Sequence, residues 1–122
     1  MISFKNKKII KLYRNKGYSK QVRELLVAGE EVIDAYRSIR DGIVFTNKRM
    51  ILVNVQGITG KKVDYTSIPY RKISVFSVET AGVLDLDAEL EVFVQGLGKI
   101  AFEFVGFSNI KEISKHIAQH IL

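Results

Sequence analysis

The chain has 122 residues, a net charge of +6 and no cysteine. That length suits one domain with its own apolar core, and the lack of cysteine excludes disulfides, thiolate metal sites and cysteine nucleophiles. No apolar run approaches the ~20 residues that cross a bilayer, and the N-terminus shows no secretory-signal pattern. We therefore expect a soluble cytoplasmic protein, with peripheral attachment to a membrane as the alternative.

The positive charge is concentrated at the N-terminus. Residues 1–23 contain eight basic residues and no acidic one, whereas the rest of the chain carries a net charge of −2. Apolar side chains are interleaved with these charges at Phe4 and between residues 9 and 13, which predicts a short amphipathic helix. We predict that residues 1–18 form a basic N-terminal arm and that residues 19–122 form the domain.

Two roles are open for this arm. It is either a solvated terminus that packs a few apolar groups on a neighbour, or a surface that binds anionic lipid, with nucleic acid less favoured. The candidate contacts with an anionic surface are its basic side chains: Lys5, Lys7, Lys8, Lys11, Arg14 and Lys16.

The next segments predict one helix and then a series of strands. Ser19 suits a helix N-cap, residues 20–28 have apolar side chains at helical spacing, and Gly29 suits the position after a helix. From residue 31 the period changes to two, which indicates half-buried strands. Seven segments are predicted as strands: 31–39, 43–45, 50–55, 61–68, 71–79, 89–95 and 99–105. A strong Asp41-Gly42 turn signal follows the first of them, and residues 80–87 are predicted as a loop.

The chain is predicted to close with an amphipathic helix that Ser108 or Asn109 caps. Its apolar stripe consists of four isoleucines: Ile110, Ile113, Ile117 and Ile121. Closing the sheet removes most of its edges, and the helix can cover the open end. The predicted fold is α+β and mainly β: a seven-stranded antiparallel barrel or orthogonal sandwich with a C-terminal helix and a short helical N-terminal extension. This is the arrangement of the pleckstrin-homology (PH) superfold.

Ordered motifs over about residues 28–122 resemble those of the bacterial PH-like domain family. They are Arg40-Asp41-Gly42-Ile43, Phe45-Thr46-Asn47-Lys48-Arg49, Gln56 to Lys62, Tyr65 to Tyr70, Phe76 to Gly82 and Leu86 to Leu90. The resemblance implies a PH-like barrel without catalytic activity. It also implies a cyclic homo-oligomer, with a pentamer as one ring size, and a polar surface at the subunit junction that binds an unidentified protein partner.

The predicted function is therefore a non-enzymatic module that forms a homo-oligomeric ring and mediates protein–protein interaction. The candidate partner surface is the pair of charged turns on the central hairpin: Arg40, Asp41, Lys48 and Arg49. Local ion pairing and turn chemistry are the alternative reading of these four residues. The alternative function is a peripheral membrane module that binds anionic lipid through the basic arm, strengthened by oligomerisation.

No catalytic, cofactor or metal site is predicted. The turn at 57–60 lacks the Gly-Lys-Ser/Thr ending of a phosphate loop and opens a strand rather than a helix. His116 and His120 share a helix face but have no recognisable third metal ligand. No nucleophile–base pair is recognisable, so we expect neither an enzyme nor a cofactor.

Overall fold

The computed structural model describes residues 1, 4, 6–80 and 87–122. These residues form eight strands, two 3-10 segments and one α-helix. The strands are β1 (Lys7–Arg14), β2 (Val32–Arg37), β3 (Gly42–Thr46), β4 (Arg49–Gln56), β5 (Lys62–Pro69), β6 (Ile73–Thr80), β7 (Ala88–Val94) and β8 (Gly98–Phe104). The 3-10 segments are Lys16–Leu25 and Tyr70–Lys72, and the α-helix is α1 (Ile110–Ile121).

The strands form one curled sheet in the order β5-β4-β3-β2-β1-β8-β7-β6. Neighbours pair in antiparallel fashion except β1 and β8, which are parallel. The prediction of a mainly β, PH-like fold with a C-terminal helix is confirmed. The seven predicted strands correspond to β2–β8, and the predicted loop at 80–87 falls largely on residues 81–86, outside the described residues.

The eighth strand is a correction, because β1 occupies the segment predicted as an amphipathic helix. β1 pairs with β8 through residues 7–9 and Leu12, and with β2 through Tyr13 and Arg14. The register shifts between Ile9 and Leu12, and Lys11 has a φ of 56°. Such a bulge bends a strand and lets it pass from one part of a sheet to another. Leu12 is fully buried as a result.

The first helix also differs from its prediction. It is a 3-10 segment over Lys16–Leu25 rather than an α-helix over 20–28, and it begins after Asn15 rather than at Ser19. Its buried side chains, Tyr18 and Val22, pack on the outer face of the sheet against a second apolar cluster on β2, β3 and β4. β3 is therefore buried on both faces, which explains its continuous apolar run.

The main core lies inside the curled sheet. Tyr36 contacts Phe104 edge to face at a centroid distance of 4.7 Å, and Phe45 lies 6.0 Å from Tyr36. α1 adds its isoleucine stripe to this core and packs on the 70–72 segment and β6. The predicted stripe is confirmed. Within the described residues, no helix is long and apolar enough to cross a membrane.

The start of α1 is held by β2 rather than by a side-chain cap. Asn109 is the N-cap residue, but its side chain makes no capping hydrogen bond with its own helix. Instead its backbone N–H donates to Tyr36 Oη at 2.7 Å, and its side-chain amide donates to Asp34 Oδ2 at 2.8 Å. The helix is thereby fixed to the sheet at the point where it begins.

Candidate functional site

The four residues of the predicted partner surface do not form one patch. Arg40 and Asp41 precede β3, whereas Lys48 and Arg49 follow it, so the two pairs lie at opposite ends of a five-residue strand. At ~3.4 Å per residue that strand separates them by about 17 Å. A partner that gripped both turns would have to span the whole hairpin.

Arg49 is the centre of a largely buried ion-pair network. Its Nε and Nη2 atoms donate to the two carboxylate oxygens of Glu30 at 2.8 and 2.9 Å. The same guanidinium donates to the Leu25 carbonyl at 2.7 Å and to Ser67 Oγ at 2.9 Å. Thr46 Oγ1 donates to Glu30 Oε2 at 2.7 Å. This bidentate arrangement joins the 16–25 segment to β3, β4 and β5 and leaves Arg49 few donors for a partner.

The network also sets the charge state of its carboxylate. The hydrogen bond from Arg49, reinforced by Thr46 and the Val27 backbone, lowers the pKa of Glu30 to about 2. Tyr70 donates its hydroxyl to the Thr46 carbonyl at 2.6 Å, and burial raises the pKa of this phenol. Glu30 is therefore a charged, paired carboxylate and Tyr70 a neutral phenol. The contacts of both side chains stabilise the fold.

The turn at Arg40 and Asp41 is held in place by the Asp41 carboxylate. Asp41 Oδ1 accepts from the Val55 backbone N–H at 2.9 Å, and Asp41 Oδ2 lies 3.4 Å from the Asn54 side-chain nitrogen. Arg40 donates to the Gly57 carbonyl, so the β2–β3 and β4–β5 turns are adjacent. Arg40 and Lys48 remain exposed at opposite ends of β3. A role for these residues in binding a partner stays a prediction.

The basic N-terminal residues are partly used inside the fold. Arg14 Nε donates to both oxygens of Asp34, at 2.8 and 3.1 Å, and Asp34 is fully buried. Lys8 Nζ lies 3.3 Å from Glu89 and 3.8 Å from Glu103. Lys7 lies over the Phe4 ring at 5.8 Å.

Three other residues are predicted to contact an anionic surface: Lys5, Lys11 and Lys16. Lys5 lies outside the described residues, and the other two are exposed. Lys8 alternates with the half-buried Ile9 along β1, so the cations are distributed along a strand of the sheet and do not gather on one helix face. Membrane binding through this segment stays a prediction.

The strands β5 and β6 lie at the two ends of the sheet. Within the described residues, β5 has β4 as its only neighbour and β6 has β7 as its only neighbour. Each is an eight-residue strand, and seven residues of β6 are exposed or half-buried. An exposed edge presents a row of backbone donors and acceptors that can pair with another strand.

The two edges differ in charge. β5 is preceded by Lys61 and begins with Lys62, whereas β6 carries Glu79 one residue before its end, opposite Glu89 on β7. Both edges also expose apolar side chains. Val75 of β6 is 64 % exposed and lies opposite Phe93, at a shallow groove of about 280 Å³, and Tyr65 of β5 is 40 % exposed.

The described residues contain no group of three or more His, Asp or Glu side chains placed to hold a metal ion. His120 packs its ring on Tyr70 at 5.1 Å, and its Nδ1 atom lies 2.7 Å from the His116 carbonyl oxygen. The ring contact holds the end of α1 against the 70–72 segment. In the described part of the chain every buried side-chain polar atom has a hydrogen-bond partner.

Comparison with known proteins identifies the family. The family model described as bacterial PH domain matches residues 3–121. The chain is 48 % identical over 100 residues to the Bacillus subtilis protein YjqA, covering 80 % of each. It is 30 % identical over 103 residues to Bacillus subtilis YozO, covering 84 % of this chain and 89 % of that protein.

Solved structures agree with this family. A DUF1696 family protein with a pleckstrin-homology domain from Shewanella loihica has a TM-score of 0.74 and 40 % identity, covering 92 % of this chain and 98 % of that one. A pleckstrin homology domain from Shewanella amazonensis has a TM-score of 0.60 and 42 % identity, covering 87 % and 86 %. The chain therefore belongs to the bacterial PH domain family.

Proposed function

We propose that this member of the bacterial PH domain family is a non-enzymatic protein that assembles into a closed ring through its two free sheet edges and binds another protein. The observation that carries the proposal is the pair of open edges, β5 and β6, at opposite ends of one sheet. Joining β5 of one subunit to β6 of the next uses two different surfaces. Such a heterologous contact generates a ring when the rotation closes.

Charge favours an antiparallel junction between the two edges. In that arrangement the acidic end of β6 meets the basic start of β5, whereas parallel addition would bring Arg71 and Lys72 towards Lys61 and Lys62. Opposite charges across a strand pair stabilise it, and like charges directly opposite each other destabilise it. The ring we propose therefore continues the antiparallel pattern of the sheet.

The side chains that face outwards select a register for this junction. Tyr65 lies on the outer face of β5, and Val75 and Glu79 lie on the outer face of β6. With Val75 opposite Tyr65, the period of two places Glu79 opposite Lys61. An apolar pair and an ion pair then form on the same face of the continuous sheet.

The test is the mass of the purified protein by light scattering at micromolar concentration. We expect at least three times the 13.8 kDa of one chain. Lys61→Glu and Glu79→Lys, made separately, should each dissociate the ring, and the double variant should restore it. Lys48→Glu, at an exposed turn away from the junction, is the matched control and should leave the mass unchanged.

A monomeric wild-type protein would refute the ring. A ring that both single variants preserve would refute the proposed register. Binding of a protein partner is a separate part of the proposal, and neither of these outcomes would refute it.

A further inference from the structure

A groove of about 390 Å³ opens on the outer surface where β1 separates from β2. The two strands pair only at Tyr13 with Arg37 and at Arg14 with Tyr36. The bulge at Lys11 then turns β1 towards β8, so the sheet parts between β1 and the β2–β3 turn. The groove is therefore a consequence of the same bend that lets β1 join both halves of the sheet.

The lining of this groove is cationic. Among the described residues that line it are Lys11, Arg14 and Arg37, and none of them is a carboxylate. Arg14 is neutralised by Asp34, as described above. Lys11 is exposed, and its backbone N–H lies 3.4 Å from Glu103 Oε1, while its ammonium group forms no ion pair with the carboxylates of the described residues. Two cationic side chains are thus left to face a ligand.

Arg37 is held ready for such a ligand. Its guanidinium lies over the Tyr18 ring at 5.6 Å, and its Nε atom donates to the Ser38 carbonyl at 3.5 Å. The Tyr18 ring contacts the plane of the guanidinium, and the hydrogen bond uses Nε. The two terminal nitrogens can therefore donate to the two oxygens of one carboxylate. A guanidinium held in place loses less conformational entropy when it binds.

The rim of the groove is apolar. Tyr13 on β1 is 53 % exposed, and Ile39, which follows β2, is 90 % exposed. An aromatic ring beside an exposed aliphatic side chain offers a contact for an apolar group of the ligand. Tyrosine and arginine together are also the residues that most often dominate protein-binding surfaces.

We propose that this groove binds an acidic peptide segment of a partner protein. One carboxylate binds between Arg37 and Lys11, and a neighbouring apolar side chain packs between Tyr13 and Ile39. The inference rests on the proposed protein-binding role but does not depend on the ring. A concave groove suits a peptide side chain better than the flat surface of a bilayer, so an anionic membrane is the alternative that the test must separate.

The probe is a fluorescein-labelled decapeptide of alternating glutamate and phenylalanine, measured by fluorescence anisotropy at physiological salt. The matched control peptide has lysine in place of every glutamate. We expect the acidic peptide alone to bind, and the double variant Lys11→Glu, Arg37→Glu to bind it at least about tenfold more weakly. The double variant Lys48→Glu, Arg71→Glu makes the same charge change on exposed residues outside the groove and should bind as wild type.

Thermal melting checks that each variant folds. If the Lys11→Glu, Arg37→Glu variant does not fold, the milder double variant Lys11→Gln, Arg37→Gln is used in its place. Equal losses in the groove and control variants would show that only net charge matters and would overturn the proposal. No binding of the acidic peptide by the wild type up to millimolar concentration would also overturn it.

Two further measurements separate this inference from the alternatives. Sedimentation with phosphatidylcholine vesicles containing phosphatidylglycerol tests the membrane, and vesicle binding that depends on Lys11 and Arg37 without peptide binding would reassign the groove to lipid. Light scattering of the groove variant should give the wild-type mass. A failed ring with intact peptide binding, or the reverse, therefore identifies which of the two proposals is wrong.

Discussion

Arg49 and Glu30 form a bidentate ion pair across β4 and the loop that precedes β2, with donor–acceptor distances of 2.8 and 2.9 Å. The Glu30 side chain is fully buried. A buried pair of this kind stabilises the fold only while both charges are present, because either partner alone would be an uncompensated buried charge.

We first predict a loss of stability in acid that depends on Glu30. The pKa of Glu30 is lowered in the folded protein from 4.5 to about 2. Its contribution is therefore complete above pH 4.5 and is lost as the pH falls towards 2, at about 3 kcal/mol in total. Urea unfolding between pH 2 and 7 measures this contribution. Glu30→Gln should be less stable at pH 7 and should lose less stability in acid, whereas the exposed Glu31→Gln should behave as wild type.

An acid dependence that is the same in Glu30→Gln and in the wild type would contradict this assignment. It would mean that other carboxylates account for the loss of stability. Because the Glu31 control carries the same chemical change one residue away, the comparison isolates burial and pairing as the cause.

The second prediction concerns Asp34, which binds Arg14, Tyr36 and Asn109. Asp34→Ala removes the acceptor that joins β1, β2 and the start of α1, and it leaves the Arg14 guanidinium without its partner. We expect a loss of about 3–5 kcal/mol in the free energy of unfolding. Asp34→Asn keeps the shape and one acceptor oxygen, so it should lose less. Equal losses in the two variants would contradict this, because they would show that the retained shape and acceptor oxygen contribute nothing.

The third prediction concerns the close approach at Gly42, the first residue of β3. A Cβ atom there would lie 2.2 Å from Tyr18 Cε2 and 2.7 Å from the Tyr36 carbonyl oxygen. Gly42→Ala should therefore cost about 1–3 kcal/mol through overpacking, read from thermal or urea unfolding. Gly17→Ala is the control, because its added Cβ would meet only a side-chain atom of Asn15, at 3.3 Å. Equal stability of both variants would contradict the packing described.

The fourth prediction tests whether residues 7–14 form the strand β1 or the amphipathic helix that the sequence pattern predicts. Leu12 is fully buried and Ile10 is 51 % exposed, although both are aliphatic residues of one short segment. Leu12→Ala should lower the free energy of unfolding by about 2–5 kcal/mol, and Ile10→Ala should change it by less than about 0.5 kcal/mol. Similar losses for the two variants would rule out the strand orientation.

The period of two predicts most of the sheet because β7 and β8 bury one face. Leu90 and Val92 alternate with Glu89 and Glu91 on β7, and the structure buries the two aliphatic residues. The isoleucine stripe likewise predicts α1. The sequence pattern does not predict β1, because its bulge at Lys11 breaks the alternation. Its stability comes from β8, more than ninety residues away in sequence. Tertiary pairing overrides local pattern in such a strand.

The buried carboxylates were also missed, for a different reason. Asp34 and Glu30 look like surface charges in sequence, because an unpaired carboxylate is almost never fully buried. Their partners, Arg14 and Arg49, lie 20 and 19 residues away. One signal was present: Asp34 and Tyr36 have the same strand parity, so an aspartate sharing the face of a core tyrosine could have been read as buried.

The parallel pairing of β1 with β8 has a consequence for how the chain folds. Leu12 pairs with Phe104, so this contact closes a loop of most of the sequence. Contacts of such high sequence separation slow folding, because the entropy of closing the loop is lost before the contact forms. During synthesis β1 leaves the ribosome before β8, so it gains this neighbour only after β8 has been made. Until then its aliphatic side chains have no partner on β8, and we expect the interleaved charges of Lys7, Lys8 and Lys11 to oppose aggregation of this segment.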